Sequence, residues 1–290
     1  MRVAVIDIGS NTARLLVADQ RGASIVPLRT SRAVLGLGAS VEQHGTIPPA
    51  KLTEARDCTR RFAKVARVTG AQLVQVLVTS PGRQAANGGD LLAAVSDQGR
   101  LGVRQLSSEE EGELAFEGAL LDRAFGWETV AVCDVGGGST QVAVGRPGGR
   151  PDWIRSIDIG SLRLTRRAGS GKSAFRRAAD EARKALAGID PPAAEGALAV
   201  GGTARSLRRV AGWLLGPAEL EAALRELEGR SAKQIARDYD VDLARARTLT
   251  AGAVILAGVQ KRLGVPLEVG RGGLREGAAA RLVALAESAA

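Results

Sequence analysis

The sequence predicts a duplicated α/β protein of two domains, on three observations. Its 290 residues are about two domains' worth of chain. A strand–turn–strand unit occurs twice, 127 residues apart: Val3-Ala4-Val5-Ile6 runs into Asp7-Ile8-Gly9-Ser10-Asn11-Thr12, and Val130-Ala131-Val132-Cys133 runs into Asp134-Val135-Gly136-Gly137-Gly138-Ser139-Thr140. After each unit, helical periodicity alternates with short apolar runs punctuated by Gly and Pro. Two such hairpins half a chain apart indicate a duplication. The boundary falls near residues 125–128, giving domains 1–125 and 126–290.

Taken in order, each hairpin closes with a second β-rich run, residues 13–18 in the first copy and 141–144 in the second. In the first half, 49–68 reads as helix, 73–79 as a buried strand, and 83–95 and 107–121 as helices. In the second, 172–186 is helical, 198–200 a short strand, 203–210 a helix, 217–263 several helices, 266–269 a strand and 274–287 a closing helix. Gly169-Ser170-Gly171-Lys172-Ser173 imitates a P-loop, but Arg166 stands where the leading glycine belongs and no buried strand precedes it. It reads as a flexible linker before a helix.

Apolar residues make up 45% of the chain and charged residues 24%, which excludes a mostly disordered chain, a collagen and a disulfide-stapled miniprotein. Aromatics are only 3%, so Ala, Val, Leu and Ile must build the core. No apolar run approaches the ~18 residues of a membrane helix. Asp7 interrupts the N-terminal apolar stretch where a signal peptide would continue, so a cytoplasmic protein is expected. Cys58 and Cys133 lack partners at metal spacing, and a single histidine, His44, speaks against a His-ligated zinc or a His-based triad. Any metal would take oxygen ligands, which favours magnesium-type chemistry. The net charge is +9, and the 40 basic residues include only six lysines. Guanidinium forks fit phosphate oxygens, so the Arg excess suits an anionic partner, although Arg-rich codon usage would give the same bias. The interleaved aromatics that stack bases are missing, which argues against nucleic acid.

Several constellations could carry chemistry. The turn Gly9-Ser10-Asn11-Thr12 after Asp7 can cradle a phosphate with backbone N–H groups and hydroxyls, though its residue types also suit an ordinary hairpin. Its second copy, Gly136-Gly137-Gly138-Ser139-Thr140 after Asp134, favours function, because three glycines cost entropy on folding. Gly201-Gly202-Thr203 opens a helix, where an anion is welcome and where Thr203 could equally be an N-cap. Ser107-Ser108-Glu109-Glu110-Glu111 reads as a capping box, either Ser107 with Glu110 or Ser108 with Glu111. Arg83 falls in a helix first turn, where a cation opposes the dipole and a bound anion would compensate it.

Together these residues resemble the exopolyphosphatase/guanosine pentaphosphate phosphatase family, within the actin, sugar kinase and heat-shock ATPase superfamily. The resemblance is carried by Ile6 through Thr12, Thr79-Ser80 with Arg83 and Asn87, Glu110-Glu111-Gly112, Asp134 through Thr140, and Leu274-Arg275-Glu276-Gly277. The length matches short, two-domain members. It implies two RNase H-like α/β domains flanking a cleft, with the last helix packing back on the first domain. It implies release of terminal phosphate from polyphosphate or guanosine pentaphosphate with Mg2+ or Mn2+. The Glu matching Glu111 would activate water, and Asp134 and Asp7 would hold the metal. The glycine-rich turns, Arg83 and Gly201-Gly202-Thr203 would bind phosphates. Gln141, Asn87 and Arg275 are further members of the expected site, and a homodimer is compatible with it. Gln141 stands where the family usually has Glu, and Glu113 where it often has Arg. A weakly active or non-catalytic binder of polyphosphate or an alarmone, a phosphotransferase and an actin-like assembly protein are the competing readings.

Overall fold

The computed structural model describes residues 1–22, 24–97, 99–121, 126–171 and 173–288. Phe125, at the expected domain boundary, and Lys172, at an expected helix start, lie outside them.

Two mixed sheets carry the chain. The first contains β1 (Arg2–Ile8), β2 (Thr12–Arg21), β3 (Ser24–Val34), β4 (Leu73–Val78) and β5 (Gly102–Gln105), in the order β3-β2-β1-β4-β5. The second contains β6 (Val130–Val135), β7 (Thr140–Gly145), β8 (Pro151–Ile157), β9 (Gly196–Val200), β10 (Leu214–Leu215) and β11 (Leu267–Val269), in the order β10-β11-β9-β6-β7-β8. The duplicated hairpins are β1–β2 and β6–β7. Each is extended by a third antiparallel strand, β3 or β8, and flanked on the other side by a parallel strand, β4 or β9. Register places Asp7 opposite Arg14 and Asp134 opposite Gln141, each at the tip of its hairpin.

The first half adds α1 (Leu37–His44), α2 (Pro49–Val68), α3 (Ser80–Gln84), α4 (Gly88–Val95) and α5 (Ser108–Leu120). The second adds α6 (Ser161–Ala168), α7 (Ala174–Ala185), α8 (Gly201–Ala211), α9 (Pro217–Leu227), α10 (Ala232–Asp238), α11 (Leu243–Leu263) and α12 (Leu274–Ser288). The helix read over 83–95 is two helices, broken between Gln84 and Gly88. A side chain on Gly88 would collide with the Gly82 carbonyl, so the chain turns sharply there. The helix read from Thr203 begins at Gly201, with Val200 as its N-cap residue.

Strand alternation sorts the core into faces. In β1, Ala4, Ile6 and Ile8 pack with α2 and α4, while Val3 and Val5 pack with Ala278, Ala279 and Val283 of α12. In β6, Ala131, Cys133 and Val135 share a cluster with α6, α7 and α11, while Val130 and Val132 pack on Ala115, Phe116 and Ala119 of α5. The end of each half therefore covers the sheet of the other. Where α5 and α12 cross, their backbones touch: a side chain on Gly118 would strike the Gly273 carbonyl, and one on Gly277 the Leu114 carbonyl. Arg281 of α12 locks the crossing, donating to Glu113 Oε2 at 2.6 Å and to both Glu117 oxygens at 2.6 and 2.7 Å. Glu113 is thus the partner of Arg281.

Candidate active site

The two hairpin tips face one cleft. Their turns close alike, with Gly9 N donating to Thr12 O and Gly136 N to Ser139 O, both at 3.0 Å. Each turn spends carbonyls on the helix that follows: Gly38 N donates to Ser10 O, and Leu162 N and Arg163 N donate to Gly137 O. Backbone N–H groups and hydroxyls are what such turns then offer an anion. A Cβ on Gly138 would come within 2.6 Å of both Ser10 Oγ and Ser80 Oγ, which lie 2.5 Å apart. The turn needs glycine there because it meets residues of the opposite half.

Between the tips is a cavity of about 110 Å³, lined by Asp7, Gly9, Ser10, Asn11, Thr12, Asp134, Gly136, Gly137, Gly138, Ser139, Gln141, Glu111, Gly201 and Gly202 among the expected residues. Gly201 has φ +80°, and a side chain on it would run into Asp134 Oδ1. Arg14 and Arg245, which the sequence reading did not single out, also line the cavity, and a side chain on Gly202 would meet both guanidinium groups. Arg14 was visible in principle as the lone cation in the apolar run of its strand; Arg245 carried no such signal.

The remaining expected residues do not line this cavity. Thr140 and Thr203 are buried, and their hydroxyls donate to Ile159 O at 2.6 Å and Val135 O at 2.7 Å. Thr203 is therefore a brace between α8 and β6 and does not cap the helix. Asn87 braces a loop, accepting from Ile47 N at 2.8 Å and donating to Ile47 O at 3.0 Å. Arg83 sits in the last turn of α3, donates to Leu106 O at 2.7 Å and pairs with Glu111. A cation in the last turn suits the helix dipole, so the expected first-turn conflict that a bound anion would relieve does not arise, and the partner of Arg83 is Glu111. Arg275, 3.8 Å from Glu276, is close enough to Asp7 and Asp134 to favour their ionised forms.

The capping question resolves in favour of Ser107 with Glu110, whose box is complete in both directions. That leaves Glu111 free to point inward, where it is 6% exposed. Burial pushes its carboxyl up to about 7, with Arg83 opposing and Asp7 and Asp134 adding to the rise. The helix dipole alone would lower it; desolvation wins. Burial raises Asp7 to about 6 against the pull of Arg275 and Arg14, with Asp134 adding to the rise, and burial also raises Asp134. Around these carboxylates, burial and mutual repulsion lower Arg14 to about 9 and Arg245 to about 10, and depress Arg205. With Arg275, four guanidinium groups surround two carboxylates. Gln141, across the hairpin from Asp134, donates its amide to Ser139 Oγ at 3.0 Å and Ser156 Oγ at 3.1 Å.

The chain and its fold resemble known proteins. The Ppx/GppA phosphatase family model matches residues 16–285. Exopolyphosphatase 1 of Mycobacterium tuberculosis is 29% identical over 301 residues, covering 96% of this chain and 87% of its own. An uncharacterised Streptomyces coelicolor protein, SCO0757, is 31% identical over 278 residues, covering 88% of this chain and 82% of its own. The crystal structure of the Aquifex aeolicus Ppx/GppA family member superposes with a TM-score of 0.83 at 23% identity, over 98% of this chain and 97% of that one. An exopolyphosphatase structure from Cytophaga hutchinsonii gives 0.84 at 20% identity, over 96% of both chains. The two-sheet fold is the one those solved structures share, and by the family match over nearly its whole length the chain belongs to the Ppx/GppA phosphatase family.

Proposed function

We propose that this chain hydrolyses phosphoanhydrides, releasing terminal phosphate from inorganic polyphosphate or guanosine pentaphosphate with the help of a divalent cation. The observation that carries this reading is the convergence of Arg14, Arg245, Arg205 and Arg275 on the hairpin tips that hold Asp7 and Asp134. Cations gathered this closely in a partly buried cleft call for a polyanion, and a phosphate chain supplies one.

Among the described residues no three His, Cys, Asp or Glu side chains gather into a metal site. Two carboxylates from opposite hairpins nevertheless fit magnesium, which commonly takes one or two protein carboxylates and completes its shell with substrate phosphates and water. Asp134 raises Asp7, as expected of like charges awaiting a cation. Asp7 and Asp134 would hold Mg2+ or Mn2+, which when bound neutralises phosphoryl oxygens. Arg14 and Arg245 take the remaining charge, and the turns at Gly9–Thr12 and Gly136–Ser139 orient the chain end. Glu111 accepts the proton of a water whose oxygen forms the new P–O bond. The bridging P–O bond breaks, and the shortened chain leaves with the electron pair. Held near 7, Glu111 is suited to take that proton at neutral pH.

The test is phosphate release from tripolyphosphate, long polyphosphate, guanosine pentaphosphate and ATP in parallel, with magnesium and with manganese. Release from none of them overturns the reading. A second reading, a non-catalytic binder, rests on Gln141, whose amide is occupied by two serine hydroxyls. Tight binding without release would establish it.

A further inference from the structure

The two halves also meet outside the cavity, at an ion pair between β3 and α11. Arg32 donates to Asp242 through both arms of its guanidinium, Nη1 to Oδ2 at 2.6 Å and Nη2 to Oδ1 at 3.1 Å. Arg32 belongs to the edge strand of the first sheet, and Asp242 immediately precedes α11 in the second half. Their side chains are 34% and 46% exposed, so the pair stands at the surface, whereas Arg245, three residues on, is buried.

Each member of this clasp is tied to one of the arginines that line the cavity. In register, Asp7, Arg14 and Arg32 stand side by side across β1, β2 and β3, so their side chains leave the same face of the sheet. Asp242 is the N-cap residue of α11, and its Oδ1 accepts from Arg245 N at 2.9 Å. Arg14 and Arg245 reach the cavity from opposite halves, and a side chain on Gly202 would meet both guanidinium groups. Like charges brought to one point repel, so their separation has to be held by something outside the pair. Asp242 favours the charged form of Arg245, and Arg32 opposes it. Other contacts keep the halves together, among them the α5–α12 crossing and the pairing of Arg163 in α6 with Glu42 in α1. Loss of the clasp would leave the halves joined and release only β3 from the start of α11.

We propose that Arg32 and Asp242 are positioning residues: their pair fixes the separation of Arg14 and Arg245, so that an oligophosphate enters a fork of guanidinium groups already set to receive it. This role rests on the reading of the cleft as a phosphate site. It works by preorganisation, because elements ordered before binding need not be ordered during it. The two-armed geometry distinguishes this pair from ordinary surface ion pairs, which contribute little. Positioning and simple electrostatics lead to opposite results at Asp242. Asp242→Asn keeps the N-cap, a place Asn fills as well as Asp, and removes only the charge. Loss of an anion beside Arg245 would tighten phosphate binding if Asp242 acted through its field alone. Loss of a positioning residue weakens it.

The test is calorimetric titration with tripolyphosphate, magnesium withheld, of the unmodified protein, Asp242→Asn, Arg32→Gln and the double variant, with phosphate release in magnesium measured on the same preparations. Each single variant should bind roughly 2- to 5-fold more weakly, the range of one partly exposed ion pair. The double variant should bind no more weakly than the weaker single one, because both substitutions break the same pair. KM should rise by a similar factor, and turnover at saturation should change less. Tighter binding by Asp242→Asn alongside weaker binding by Arg32→Gln reduces the pair to its field and overturns the proposal. Unchanged binding in both, or losses that add in the double variant, overturns it too and leaves the hydrolase reading standing. A clasp-dependent affinity in a protein that releases no phosphate keeps this role and loses the hydrolase reading. Failure of the unmodified protein to bind tripolyphosphate overturns both.

Discussion

Replacing Glu111 with Gln separates what this residue does for turnover from what it costs the fold. The folded protein holds its carboxyl near 7 against an ordinary 4.5, chiefly through burial. A folded-state value above the unfolded one means that ionisation opposes folding. The penalty is absent below about pH 4.5, grows between 4.5 and 7, and is constant above. At ~1.36 kcal/mol per tenfold change in proton affinity, it reaches about 3 kcal/mol. Gln mimics the protonated form, so Glu111→Gln should be more stable than the unmodified protein by about that amount at pH 8, and equal to it near pH 4. Denaturant midpoints across this range measure the difference. Phosphate release should meanwhile fall by ~10²–10⁴, the usual contribution of a general base. The unmodified enzyme should gain activity as pH rises through about 7, as Glu111 gives up its proton. Undiminished turnover in Glu111→Gln, or stability curves that run parallel from pH 4 to 8, would refute the assignment.

Three other substitutions probe the site. Arg83 holds Glu111 down, so Arg83→Ala should shift the pH–rate profile to higher pH, with a smaller effect on KM than on activity at neutral pH; a pH–rate series checks this. Gln141→Glu adds a carboxylate across the hairpin from Asp134 and should lower the magnesium concentration for half-maximal turnover, or weaken tripolyphosphate binding if the added charge faces the phosphates instead. Gly201→Ala forces a left-handed backbone onto a side chain that also meets Asp134, so it should destabilise the fold by more than the ~1–2 kcal/mol of the conformation alone, read from the denaturant midpoint.

The parts of the fold legible in the sequence were those with local signatures. The hairpin tips repeat, α2 spans the expected 49–68, and the buried runs of β4, β6 and β9 are apolar throughout or nearly so. β3 escaped because it is an edge strand, largely exposed, with Pro27, Arg29 and Arg32 breaking its apolar alternation. The division between α3 and α4 depends on Gly88 meeting Gly82, a contact between residues that do not adjoin in the helical pattern. At the site, the carboxylates and glycines announced themselves by spacing. Arg205 and Arg245 did not, and Arg14 showed only as a lone cation in an apolar strand, because a chain with this many arginines does not reveal which of them converge until tertiary packing brings β2, α8 and α11 to one point. Glu111 was legible as a residue, but its two neighbours in the acidic run obscured its fate; only the completed Ser107–Glu110 box shows that it is the one turned inward.

The crossing of α5 and α12 makes the molecule a single unit of folding. Val3, Val5, Leu16 and Leu77 lie bare until the last fifteen residues of ordered helix arrive, and Val130, Val132 and Leu198 wait for a helix made before their own strands. A chain cut between the sheets would leave the first fragment without its lid and the second without the helix that seals its hidden face, each exposing a sheet surface prone to aggregation. Unfolding should therefore be one cooperative transition by every probe, despite the two sheets. Synthesis from the N-terminus cannot cover the first sheet until α12 leaves the ribosome, so the first half, though it emerges early, must wait for the second.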